Sequence, residues 1–124
     1  MISFNNSIFM LLKPVKDTTF SKMVDPIMVD GEQIIESFQS VRDGIVFTNK
    51  RIIAIDIQGA LGKKKDFTSL PYKRLQTFSV TTADFFDFNS KLELWFNGVG
   101  KVCFEFAART DIAKICKTIS SFVL

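Results

Sequence analysis

The sequence predicts a mostly-β (α+β) fold: a seven-stranded antiparallel barrel capped by a C-terminal α-helix, with a short helical N-terminal arm. Three observations carry this. From Glu32 to Phe106 apolar residues recur with period two, in short runs broken by Gly, Pro, Asn and Asp. From Thr110 onward the period lengthens to that of a helix. The chain has 124 residues, 47% of them apolar, which suits one domain with one core.

Each element has its own local reason. Residues 1–31 form the expected N-terminal arm, with an apolar run, Ile8 to Leu12, ended by Lys13-Pro14. A short helix is expected over Thr18 to Val24, capped by Thr18 or Thr19 and stopped by Pro26. The expected barrel domain is 32–124. Its first strand alternates Ile34, Glu36, Phe38 with Ile35, Ser37, Gln39, and Arg42-Asp43-Gly44 is a tight turn. Ile45 to Thr48 is the second strand. Ile52 to Ile57 is the third, with a β-branched density that suits a pleated surface. Gly59 and Gly62 open a hairpin, Lys64 to Leu70 returns, and Pro71 closes it because proline cannot sit in a central ladder. Leu75 to Ala83 is the fifth strand and Asp84 to Asn89 a loop. Strands around Leu92–Phe96 and Val102–Phe106 flank the turn Asn97-Gly98-Val99-Gly100. Thr110 is the expected cap of the last helix. Ile112, Ile115, Cys116, Ile119, Phe122 and Val123 form its apolar face.

Composition removes several chemistries. There is no histidine, so Ser-His-Asp and Cys-His catalysis, HExxH zinc sites and histidine switching are excluded. Two cysteines, Cys103 and Cys116, cannot build a structural zinc site and read as small buried side chains in a reducing cytoplasm. The N-terminal apolar run is too short for a signal-peptide core or a bilayer span, so a soluble cytoplasmic protein is expected. The net charge is +3. Residues 40–75 hold eight basic and three acidic residues, which places the surplus in the middle third.

Seven antiparallel strands and a closing helix, in this order, make the pleckstrin-homology-like (PH-like) architecture; SH3-like barrels lack the long final helix. The residues themselves also resemble a family. Val41-Arg42-Asp43-Gly44-Ile45-Val46-Phe47-Thr48-Asn49-Lys50-Arg51 is similar to the signature of bacterial pleckstrin-homology domains. So are Asp56-Ile57-Gln58-Gly59, Gly62-Lys63-Lys64, Leu70-Pro71-Tyr72-Lys73 and Lys91-Leu92-Glu93-Leu94-Trp95-Phe96. The resemblance implies a small bacterial protein with a PH-like barrel, a tendency to self-assemble into rings and no enzymatic activity; no cofactor is expected. The chain departs from the family's pattern at Thr81-Thr82-Ala83-Asp84 and Asp87-Phe88-Asn89-Ser90, which weakens an acidic surface feature.

Two surfaces are candidates for contacts. Arg42, Lys63, Lys64, Lys65 and Lys101 are expected to converge on one rim. In eukaryotic PH domains that rim grips inositol phosphates, but here the first turn is too short to wrap a headgroup and Asp43 opposes it. The rim is left with weak attraction to anionic lipid, ~1 kcal/mol per basic residue. Phe85, Phe86 and Phe88, beside Asp84 and Asp87, are the candidate partner contact, expected at the opposite end. They are not interleaved with basic residues, which argues against nucleic acid. Gly59 to Lys65 fails as a nucleotide-binding loop: the glycines are too close and no Ser/Thr follows the lysine. No carboxylate or thiol constellation offers a catalytic or metal site. The expected function is a non-enzymatic, self-assembling protein-interaction module, the alternative being peripheral binding to anionic membrane lipid.

Overall fold

The computed structural model describes residues 1, 9–82 and 89–124. In chain order the elements are β1 (Lys13–Val15), α1 (Thr18–Val24), β2 (Ile34–Ser40), β3 (Asp43–Thr48), β4 (Arg51–Gln58), β5 (Lys64–Pro71), β6 (Leu75–Thr81), β7 (Ser90–Phe96), β8 (Gly100–Phe106) and α2 (Ile112–Val123). The seven expected strands form as β2 to β8, all antiparallel to their neighbours.

The strands do not close into one barrel. They make a five-stranded sheet, β1-β2-β3-β4-β5, and a three-stranded sheet, β6-β7-β8. The break follows Pro71, where a 3₁₀ turn, Tyr72–Arg74, swings the chain between sheets. A proline has no N–H for a ladder, and the turn ends β5 before β6 can pair with it. On the other side the N-terminal segment stitches the sheets together. Leu12 bridges Phe106 in parallel, its N–H donating to the Glu105 carbonyl at 2.9 Å, and β1 then pairs with β2.

The main core lies between the sheets and α2. Phe38, Phe47, Phe96, Phe104 and Phe106 fill it with Ile45, Ile52, Leu92 and Val102, and α2 adds Ile112, Ile115 and Ile119. Phe38 meets Phe47 and Phe106 edge-to-face, at 5.8 and 4.9 Å between centroids. Phe9 and Leu12 also enter this core.

A second apolar cluster covers the outer face of the large sheet. Phe20 and Val24 of α1 pack on Val46, Ile53 and Ile55. This explains why β3 and β4 are buried on both faces and read as near-continuous apolar runs. Gly44 is part of the fit, because the Phe20 ring occupies the space where a Cβ would stand.

Three local expectations are corrected. The cap of α1 is Asp17, without a side-chain hydrogen bond, rather than Thr18 or Thr19. The cap of α2 is Asp111, whose carboxylate accepts from the Lys114 N–H at 3.1 Å. Thr110 instead donates its hydroxyl to the Ala107 carbonyl. Phe122, expected on the buried face of α2, is 40% exposed and stacks on Tyr72, because the helix end overhangs the core.

Candidate functional site

A concavity lies at the end of the large sheet that carries the β3–β4 turn. It holds about 410 Å³, within the range of ligand sites. Its floor is Pro71, Tyr72 and Phe122, and Val29 forms an exposed apolar shoulder. The rings of Tyr72 and Phe122 are nearly parallel, 5.4 Å apart at 8°. Lys50, from the β3–β4 turn, and Lys73, from the 3₁₀ turn after β5, stand on the rim. Both are exposed, and neither ammonium group has a hydrogen-bond or ion-pair partner among the described residues.

A buried ionic knot holds the wall rigid. The Glu32 side chain is fully buried. Its carboxylate accepts from Arg51 Nε at 2.9 Å, Arg51 Nη2 at 3.0 Å, Thr48 Oγ1 at 2.7 Å and the Val29 N–H at 3.1 Å. Arg51 also donates to the Ile27 carbonyl and to Ser69 Oγ. Burial alone would raise the Glu32 pKa, but the bonds from Arg51 and Thr48 outweigh it and hold the carboxyl below its ordinary value. The Thr48 hydroxyl also accepts from the N–H groups of Lys50 and Arg51, which fixes the turn that presents Lys50. Tyr72 donates its buried hydroxyl to the Thr48 carbonyl at 2.8 Å. Desolvation, and then the Glu32 and Glu36 charges, push that phenol well above its usual range, so it stays a neutral donor. Arg51 and Glu32 are thus occupied with each other, and the charge left free at the groove is that of the two lysines.

Sequence reasoning did not find this groove. Its residues come from four separated segments that only the fold brings together. The one signal was the basic surplus of residues 40–75, which contains Lys50 and Lys73.

The expected rim comes together in part. Arg42 Nη1 donates to the Gly59 carbonyl at 2.7 Å, tying the β2–β3 turn to the β4–β5 hairpin that carries Lys63, Lys64 and Lys65. Those lysines are exposed around Leu61, itself 79% exposed. Lys101 lies at the start of β8 and pairs with Glu93 at 3.0 Å, which raises its pKa. Phe85, Phe86 and Phe88 lie outside the described residues.

Cys103 and Cys116 are half-buried and unpaired, rather than fully buried. Burial pushes the Cys103 thiol up, and Glu93 adds to the effect, so it is a poor thiolate. Among the described residues no three Cys, Asp or Glu side chains gather to hold a metal, and no helix is long and apolar enough to cross a membrane.

Comparison with known proteins gives a consistent family picture. The profile of the family described as Bacterial PH domain matches residues 3–123. A DUF1696 family protein with a pleckstrin-homology domain from Shewanella loihica superimposes with a TM-score of 0.80 at 40% identity, covering 93% of this chain and 99% of the other. A pleckstrin homology domain from Shewanella amazonensis gives 0.68 at 39%, covering 89% and 90%. A PH-domain-containing protein from Exiguobacterium sibiricum, 18% identical over 91% of this chain and 62% of its own, shares the fold at 0.69. Two Bacillus subtilis relatives, both described as uncharacterized, are YjqA and YozO. YjqA is 50% identical over 72 residues, 58% of each chain, so the match spans less than two thirds of that relative. YozO is 35% identical over 101 residues, 82% of this chain and 87% of its own.

Proposed function

The chain belongs to the bacterial PH domain family, and from that membership we propose that it is a non-enzymatic interaction module that assembles with copies of itself, in the ring form the family resemblance implies. The observation that carries this reading is strand β6. It pairs with β7 on one side and with no strand on the other among the described residues. From Leu75 to Thr81 it has neither a charge nor a proline. Edge strands that stay unpaired are usually blunted by lysine, proline or a bulge. The other free edge, β5, carries Lys64, Lys65 and Asp66 and ends in Pro71. On β6 the only such device is a bulge between Leu75 and Thr77, which leaves Phe78 to Thr81 in regular register. Phe85, Phe86 and Phe88, close behind β6 in sequence, are proposed as further contacts.

Light scattering behind size exclusion tests the assembly. Wild type at tens of micromolar should elute as a defined oligomer, and Ser79→Lys, which puts a charge on the exposed strand, should shift it toward the 14.1 kDa monomer. A monomeric wild type removes the proposal.

A second reading is peripheral attachment to anionic lipid through the β4–β5 hairpin in a cytoplasmic protein. It is favoured by Leu61 standing exposed among Arg42, Lys63, Lys64 and Lys65, an apolar tip inside a basic collar. It predicts salt-sensitive sedimentation with phosphatidylserine vesicles and none with phosphatidylcholine vesicles. Equal recovery with both in low salt discards it.

A further inference from the structure

We infer that the groove floored by Tyr72 and Phe122 is the receptor half of a contact between copies, and that its occupant is the segment Asp84-Phe85-Phe86-Asp87-Phe88 of a second copy. The inference deepens the self-assembly reading and rests on it.

The groove asks for a ligand with two properties. Its floor is aromatic and apolar, with Phe122 40% exposed and Val29 57% exposed. Leaving such surface in water is unfavourable. Its rim carries two ammonium groups, on Lys50 and Lys73, that no carboxylate of the described residues neutralises. The Arg51–Glu32 pair beneath is satisfied internally and adds no net charge. A fitting ligand therefore combines aromatic side chains with carboxylates a residue or two away.

Within this chain that combination occurs at residues 84–88, where two aspartates stand among three phenylalanines. The two aspartates match the two lysines in number and sign, and phenylalanine can extend the stack of Tyr72 and Phe122.

The contact has to be between copies. Tyr72 and Lys73 immediately precede β6, and the segment follows the far end of β6. A strand from Leu75 to Thr82 spans about 23 Å at ~3.3 Å per residue. Thr81 pairs with Lys91, so residues 82 and 90 sit side by side, and a loop leaving and returning there reaches at most about 12 Å. The groove and the residues that flank the segment, 82 and 89, lie at opposite ends of β6, so the proposed contact is head-to-tail, and head-to-tail contacts close into rings when the rotation allows.

The test uses the full chain and a fluorescein-labelled peptide of residues 82–90. The peptide should bind in fluorescence anisotropy, more weakly as salt rises, and at least tenfold more weakly to Lys50→Glu/Lys73→Glu. Both lysines are exposed and unpartnered, so that variant should keep the wild-type circular dichroism spectrum. It should also lose the wild-type oligomer, and mixing it with Asp84→Lys/Asp87→Lys should restore assembly. An oligomer that survives the lysine reversal overturns this contact and leaves the self-assembly reading standing. A monomeric wild type overturns both. Peptide binding that ignores the lysine reversal overturns the groove as receptor. If Ser79→Lys disperses the oligomer while the lysine reversal does not, the β6 edge alone is the interface.

Discussion

Replacing Glu32 by alanine should cost the fold about 3 kcal/mol. The buried carboxylate accepts four hydrogen bonds, two of them from one guanidinium. Its removal leaves the Arg51 charge uncompensated and strands the Thr48 hydroxyl and the Val29 N–H. Breaking a buried ion pair from one side costs ~3–5 kcal/mol. Arg51 is 18% exposed, so water relieves part of that and places the value at the lower end. Domains of this size have a total stability of ~5–15 kcal/mol, so the loss is easily measured. Urea denaturation at pH 7, followed by far-UV circular dichroism, reads it directly. The same pair makes an acid-side prediction. The folded chain holds the Glu32 pKa below 4.5, the ordinary value. Its stabilisation is therefore complete above the unfolded pKa and is lost as pH falls through the lowered one. Asp43 acts in the opposite sense. Burial raises its pKa despite the bond from the Ile57 N–H, so its contribution is lost as pH rises through the raised value. The difference between wild type and Glu32→Gln from pH 7 to pH 3 isolates the Glu32 share, and the variant should show the shallower decline. A loss below ~1 kcal/mol for Glu32→Ala at pH 7, or identical acid declines, would refute the argument.

Two further stability changes follow from the packing. Gly44→Ala pushes a methyl into the Phe20 ring and should cost ~1–3 kcal/mol, with faster hydrogen exchange confined to α1 and the facing strands. Asp111→Ala should cost ~1 kcal/mol through the lost cap. In contrast, Thr110→Ala, which removes only a hydroxyl bond to Ala107, should leave the helical signal nearer to wild type in thermal melts.

Much of the fold was legible because its signals are local. Period-two alternation in Leu92, Leu94 and Phe96 puts these side chains on one face whatever lies opposite, and all three are in the core. The same holds for Ile112, Ile115 and Ile119 on α2. The seven strands and the turns between them follow from Gly, Pro and Asn placed between such runs. Capping was less legible, since Thr110 and Asp111 are both good caps and only the backbone path decides which oxygen reaches the N–H of Lys114. The same limit applied to Phe122, which has the helical spacing of a core residue but lies past the end of the core.

The candidate site was hardly legible. The basic surplus of residues 40–75 marked the region without separating its three roles. Arg51 is locked to Glu32, Arg42 ties one turn to the next hairpin, and Lys50 and Lys73 are left free. Which cation finds a partner depends on segments nineteen residues apart in the case of Arg51 and Glu32.

By itself the sequence determined the order and type of the elements, the lack of histidine chemistry and the family, all of which depend on residue identity and near-neighbour spacing. Only the tertiary structure decided that the strands split into two sheets at Pro71, that α1 covers a second face of β3 and β4, and that Val29, Lys50, Tyr72, Lys73 and Phe122 share one groove. Those outcomes turn on how distant surfaces pack and which charges are neutralised on the way, quantities that periodicity along a chain does not contain.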